Sequence, residues 1–122
     1  MVAPNAPFSR LEAWSEARKL VREVYDTSDG FPIRERYGLT SQLRRASVSV
    51  MTNIAEGSGR RTPGEFRQFL SIALGSLAEV SSLLVVAMDQ GYIPTHVFQA
   101  LDEHRDSVGR LTYRLLESTR RR

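Results

Sequence analysis

The side chains in this sequence that could do chemistry are its arginines and one polar stripe. Arg44 and Arg45 are adjacent, as are Arg60 and Arg61. Arg18 and Arg22, and likewise Arg110 and Arg114, stand one helical turn apart. A guanidinium presents a rigid fork of donors that matches phosphate and carboxylate. These eight are the candidate nucleic-acid contacts, and Arg120, Arg121 and Arg122 add a basic end. The stripe is Gln42, Arg45, Ser49, Asn53 and Glu56, at steps of three and four. One reading makes it a ligand or RNA contact. The other makes it structural: Asn53 and Glu56 tie a helix end to the next loop, and Arg45 pairs with a carboxylate such as Glu79. Buried charges need partners of that kind. The structural role is the expectation for Gln42, Asn53, Glu56 and Glu79, and nucleic-acid contact for the arginines.

Other chemistry is missing its parts. There is no cysteine, which removes disulfide frameworks, cysteine–zinc sites and thiol catalysis. His96 and His104 are the only histidines, and no carboxylate cluster accompanies them at ligand spacing. The duplicated Glu-x-x-His of di-iron bundles does not occur. Gly57-Ser58-Gly59 lacks the later glycine and the strand of a nucleotide loop. The serines of the third helix have no paired base. The expectation is a protein that is not an enzyme and needs no metal or cofactor. His104 falls on an apolar stripe and reads as a packed core or interface residue.

The totals set the frame. A length of 122 residues is one domain, long enough to bury a core unaided. Lys and Arg number 17 against 14 Asp and Glu, and Lys19 is the sole lysine. Codon usage in a GC-rich genome explains that bias; a polyanionic partner is the other explanation. Met1 to Pro7 lacks the charged and apolar parts of a secretory leader. Leu70 to Met88 carries one charge, Glu79, but also Gly75 and four serines. It reads as a buried bundle helix rather than a span of roughly 20 apolar residues. A cytoplasmic location without a membrane partner follows.

Four helical segments position these groups, at about 9–28, 39–56, 63–90 and 95–119. Ser9 and Glu12 have capping-box spacing, and Trp14, Ala17, Val21 and Val24 form the first apolar stripe. Leu39, Leu43, Ala46, Val50 and Ile54 form the second, with Gly57 as its stop. Val48, Met51 and Ala55 make a second apolar face, suited to a neighbouring subunit. Thr62-Pro63-Gly64-Glu65 announces the third helix. Phe66, Leu70, Ala73, Leu77, Val80, Leu84 and Ala87 alternate steps of four and three, a heptad seam. Phe69, Ile72, Leu83 and Val86 widen it beyond one stripe, which again points to oligomerisation. The fourth helix follows Pro94, with Thr95 as cap and Val97, Leu101, Val108, Leu111 and Leu115 as stripe. Short links favour an all-α, antiparallel, up-down-up-down four-helix bundle; a three-helix bundle with a long arm is the alternative.

Three blocks resemble one known family: Leu39-Thr40-Ser41-Gln42-Leu43-Arg44-Arg45-Ala46, Asn53-Ile54-Ala55-Glu56-Gly57-Ser58-Gly59-Arg60, and Phe69 through Glu79. They are similar, in order and spacing, to the bacterial four helix bundle proteins, also called 23S rRNA intervening-sequence proteins. The resemblance runs from Phe8 to about Leu116. It implies a bundle that assembles as a homopentameric ring, many members being encoded within insertions in large-subunit rRNA genes. A related branch is the accessory variability determinant of diversity-generating retroelements, a basic pentamer that binds a reverse transcriptase and nucleic acid. The resemblance therefore implies an RNA- or DNA-binding assembly factor. The alternative it leaves is a protein-interaction scaffold for a reverse transcriptase or ribosomal component. Met51 stands where the family usually has proline, and Thr52 where it often has serine. A proline would kink the second helix, so Met51 implies a straighter one.

Overall fold

Four apolar stripes meet around one core in the computed structural model, which describes residues 6–121. The helices are α1 (Glu12–Ser28), α2 (Leu39–Ser58), α3 (Pro63–Asp89) and α4 (Thr95–Thr119), with short 3₁₀ turns at Pro7–Arg10 and Ile33–Glu35. No strand occurs among the described residues. α2 packs on α1 and α3, and α4 packs on α3 and α1. Cross-links give the direction. Arg67 near the start of α3 reaches Thr119 at the end of α4, while Ser81 reaches Asp102. Ser49 meets Ser76, and Gly57 lies under Phe66 and Phe69. Low numbers pair with high ones in both cases, so these neighbours are antiparallel. The result is a four-helix bundle. Met1 to Asn5, part of the leader reading, and Arg122, part of the basic end, lie outside the described residues.

The start of α3 forms as its sequence dictates. Thr62 Oγ1 accepts from the Glu65 amide at 3.1 Å, with Pro63 in the first turn. Gly91, at φ 77°, takes the left-handed conformation just beyond the end of α3. Three other terminus readings are corrected. Ser9 sits in the 3₁₀ turn and donates to Ala6 O at 2.6 Å, so α1 begins at Glu12 with no side-chain cap. Thr95 lies inside α4, whose N-cap is Pro94. Gly57 does not stop α2, which continues to Ser58. A Cβ on Gly57 would lie 2.7 Å from Phe69 Cβ and 2.8 Å from Phe66 Cδ1. Its glycine serves close helix packing rather than an unusual backbone angle.

The core seam of α3 is buried at Leu70, Ala73, Leu77, Val80, Leu84 and Ala87, and α2 buries Leu39, Leu43, Ala46, Val50 and Ile54. Leu20 joins the stripe of α1 fully buried. On α4 the phase differs from expectation: Thr112 and Leu116 are buried, while Leu111 and Leu115 pack at its margin. The Thr112 hydroxyl donates to Val108 O at 2.7 Å. That satisfied hydroxyl lets a polar residue occupy a core position.

The surplus apolar surface divides. Met51 and Ala55 pack onto the bundle's own core, so the second face of α2 is largely used within the chain. The 3₁₀ turn at Pro7–Arg10 also lies on α2. On α3 the surplus stays outside: Ile72 is 52% exposed and Val86 43%. α3 is long and apolar enough to cross a membrane by length and composition. Its inner side nevertheless packs between α2 and α4 and carries Ser76, hydrogen-bonded to Ser49.

Candidate nucleic-acid interface

Arg44 and Arg45 are neighbours in sequence with opposite surroundings. Arg44 reaches back over the C-terminal end of α1. Its Nε donates to Ser28 Oγ at 2.8 Å and its Nη2 to Asp29 Oδ1 at 2.8 Å. The guanidinium also stacks 4.6 Å from the Tyr25 ring centroid. A cation there complements the partial negative charge of a helix C-terminus. Arg44 is a clasp between α1 and α2, not an available contact. Arg45, about 100° further round α2, is exposed and has no ion-pair partner among the described residues.

The link between α1 and α2 sets what lies beside Arg45. Phe31 is buried and its ring lies 5.6 Å from that of Tyr92. Tyr92 Oη donates to Glu35 Oε2 at 2.8 Å, and Arg34 Nη2 donates to Tyr92 Oη at 3.3 Å. Glu35 Oε1 accepts from the Leu39 amide at 3.2 Å, capping α2. A Cβ on Gly38 would stand 2.9 Å from that oxygen, so glycine leaves room for the cap. The Tyr92 bond first, then the Leu39 amide, hold the Glu35 carboxyl below its ordinary value of 4.5. With the link pinned, Arg36 and Tyr37 face outward, and Tyr37 is 89% exposed.

An open groove of about 710 Å³ results, running from Tyr25, Arg36 and Tyr37 along α2 past Arg45 to Thr52. Its charged lining residues are Arg36, Arg44 and Arg45, with no carboxylate among them. A second groove of about 360 Å³ lies between α3 and α4, where Arg105, Arg110, Tyr113 and Arg114 surround Ala78 and Gly109. Its charge is partly cancelled: Arg110 pairs with Asp106, and Arg105 with Asp102 at 2.9 Å. Burial raises the Asp102 carboxyl, but hydrogen bonds from Arg105 and Ser81 outweigh it and leave the group below its ordinary value.

The remaining candidates line neither groove. Arg60 stacks 4.6 Å from the Phe69 ring centroid, anchoring the loop after α2, while Arg61 is exposed and without an ion pair among the described residues. Arg18 lies 5.6 Å from the Trp14 ring centroid. Arg22 is exposed on α1. Eight predicted contacts therefore do not form one cluster.

The polar stripe is also rearranged. Asn53 Nδ2 donates to Ser49 O at 2.8 Å and Ser49 Oγ at 3.0 Å, and Ser49 Oγ meets Ser76 Oγ at 2.8 Å. The expected network thus closes between α2 and α3 rather than onto the following loop. Gln42, Glu56 and Glu79 are exposed instead, and no Arg45–Glu79 ion pair forms among the described residues. Buried charge compensation is not needed where both residues face outward. His104 bridges α4 to α1, with Nε2 3.1 Å from Glu16 Oε1 and Nδ1 against Glu23. No group of metal-ligating side chains occurs among the described residues.

Arg36, Tyr37, Ser76 and the Arg67–Thr119 tie were not singled out from the sequence. Arg36-Tyr37 had a readable signal: a basic–aromatic pair between Pro32 and Gly38.

Among known families, the 23S rRNA-intervening sequence protein family matches residues 9–114. A crystal structure of a protein of unknown function from the S23 ribosomal protein family, from Bacteroides thetaiotaomicron, is similar in fold. The TM-score is 0.79 at 15% identity, covering 85% of this chain and 97% of that one. No curated protein matches the chain in sequence.

Proposed function

We propose a function from one premise: the chain belongs to the 23S rRNA-intervening sequence protein family. It is a non-enzymatic RNA-binding bundle that works in the cytoplasm as a homo-oligomeric ring, a pentamer. The observation that carries RNA binding is the set of outward arginines that lack acidic partners among the described residues. Arg22, Arg36, Arg45, Arg61 and Arg114 are all exposed. Arg44, Arg105, Arg110 and Arg120 are by contrast held by Asp or Glu. Surface cations without internal partners contribute little to the fold, and phosphates supply what the chain does not. Ring assembly is supported by Ile72, Val85 and Val86, exposed on α3.

The test is native purification followed by nuclease-controlled extraction and sequencing of bound nucleic acid. Retained RNA that is released by added salt supports the reading. A protein that retains neither RNA nor DNA at low salt overturns it. The same exposed apolar residues favour a second reading, an accessory scaffold for a reverse transcriptase or ribosomal component. A protein partner that survives nuclease treatment and is lost on Ile72→Asp would select it.

A further inference from the structure

Both grooves are lined by arginines and tyrosine, yet they differ in charge. Between α3 and α4, Asp106 lies in the lining and pairs with Arg110. Along α2, the lining holds three arginines and no carboxylate. Arg44 is occupied by Asp29, which leaves the cationic forks of Arg36 and Arg45 directed at the groove without an acidic partner among the described residues.

Tyr37 is the second observation. Its ring is 89% exposed at the mouth of this groove. The link beneath it is held rigid by Phe31, Glu35 and Tyr92. A large exposed ring on a pinned backbone is a ready stacking surface, because the link itself needs no reordering on binding. Along α2, Ser41, Arg45, Val48 and Thr52 line the same groove at steps of four, three and four. That row is about 17 Å long at 1.5 Å per residue, enough to follow a strand beyond one phosphate.

We infer that this groove seats an unpaired stretch of RNA, with a base stacked on Tyr37 and its phosphates forked by Arg36 and Arg45. The inference rests on the RNA-binding reading above and deepens it. A duplex keeps its bases stacked inside and offers no ring face to Tyr37, whereas a splayed single strand does. An acidic peptide would satisfy the arginines but leave the exposed tyrosine without a planar partner.

The experiment is fluorescence anisotropy of the full-length protein with a short labelled oligouridine and with an RNA duplex of equal length, across a salt series. Wild type binds the single strand more tightly than the duplex. Tyr37→Ala weakens single-strand binding about tenfold, as expected for loss of one stacked base, and leaves duplex binding unchanged. Tyr37→Phe restores it. The pair Arg36→Gln and Arg45→Gln lowers the salt slope by about 0.7 per phosphate contact removed. Tyr37 and Arg45 are exposed, so circular dichroism of these variants matches wild type. RNA binding that persists unchanged in Tyr37→Ala and in the double arginine variant overturns the groove while leaving the RNA-binding reading intact. Duplex preference by wild type overturns the single-strand assignment. No binding of either RNA by wild type removes both.

Discussion

Tyr92, in the turn between α3 and α4, donates its hydroxyl to Glu35 at 2.8 Å, linking residues 57 apart in sequence. The same carboxylate caps the first amide of α2 through Leu39. One bond therefore ties the link carrying Arg36 and Tyr37 to the opposite pair of helices. Tyr92→Phe keeps the ring contact with Phe31 and removes only the hydroxyl. The expected outcome is a lower Tm and faster hydrogen exchange at Leu39 and its neighbours, with the far end of the bundle unchanged. The bond also has a pH signature. The folded Glu35 carboxyl lies below its ordinary 4.5, first because of Tyr92. Its stabilisation is present above that value and is lost as pH falls through the lower folded value. Tyr92→Phe should shrink that acid-side loss.

Two glycines should respond to alanine with opposite signs. At Gly57 the new Cβ meets Phe69 Cβ at 2.7 Å and Phe66 Cδ1 at 2.8 Å. Two helices would have to separate, at about 1–3 kcal/mol. At Gly109, within α4, the nearest atom is Leu77 Cδ1 at 3.8 Å, an ordinary contact. There alanine gains helix propensity of roughly 0.8–1 kcal/mol. Chemical denaturation of both variants checks the pair: the midpoint falls for Gly57→Ala and rises for Gly109→Ala.

Gly57 also illustrates where reading the chain alone stops. A glycine after an apolar run is the common mark of a helix end, and only Phe66 and Phe69 returning on α3 make it a packing position. The heptad of α3 and the Thr62–Glu65 cap were legible because each is a pattern within one helix. The buried Thr112 was not, because its hydroxyl is satisfied by the backbone one turn away and its polarity misdirects the phase. Ser9 and Thr95 matched cap chemistry, but the chain enters α1 through a 3₁₀ turn and α4 at Pro94. For the candidate site, the arginines were legible as a class. Their separation into clasps and exposed forks depends on what α1 and the link bring within reach.

His104 is held between Glu16 and Glu23 of α1. The Glu16 carboxyl lies below its ordinary 4.5. The hydrogen bond from Lys19 contributes most, burial opposes it, and His104 adds to the lowering. The stabilisation from Glu16 is therefore complete above 4.5 and lost as pH falls through the folded value. The Glu16 side chain is 25% exposed and its main partner, Lys19, 52%, so screening limits the contribution to less than about 1 kcal/mol. Glu16→Gln should lower the neutral plateau by up to that amount and flatten the acid limb below pH 4.5, as read by Tm against pH.

Ile72 and Val86 are exposed on α3 outside the core seam. If they bury one another's copies in a ring, an aspartate at either position places a charge in an apolar contact. Ile72→Asp and Val86→Asp should reduce the mass seen by light scattering toward the 13.8 kDa of one chain, with helicity retained. A wild-type protein that already scatters as a single chain would overturn ring assembly.

Arg44 and Arg45 give the sharpest separation between fold and function. Arg44 donates to Ser28 and Asp29 and stacks on Tyr25, so Arg44→Gln strips the end of α1 of its clasp. Its side chain is 27% exposed while Asp29 is 78% exposed, so the ion pair itself is screened. The loss is set mainly by the bond to the buried Ser28 hydroxyl, which keeps its own bond to Tyr25 O at 3.3 Å, so it amounts to roughly 0.5–1.5 kcal/mol. RNA affinity of the folded Arg44→Gln protein should change little. Arg45→Gln removes an exposed cation with no acidic partner among the described residues and should leave Tm within about 0.5 kcal/mol of wild type in stability terms. Its cost falls on binding, as a salt slope reduced by about 0.7 on single-stranded RNA. Thermal melts and salt-dependent anisotropy on the two variants, run side by side, decide it. Equal loss of RNA affinity in both would assign the contact to the general charge of α2 rather than to the groove.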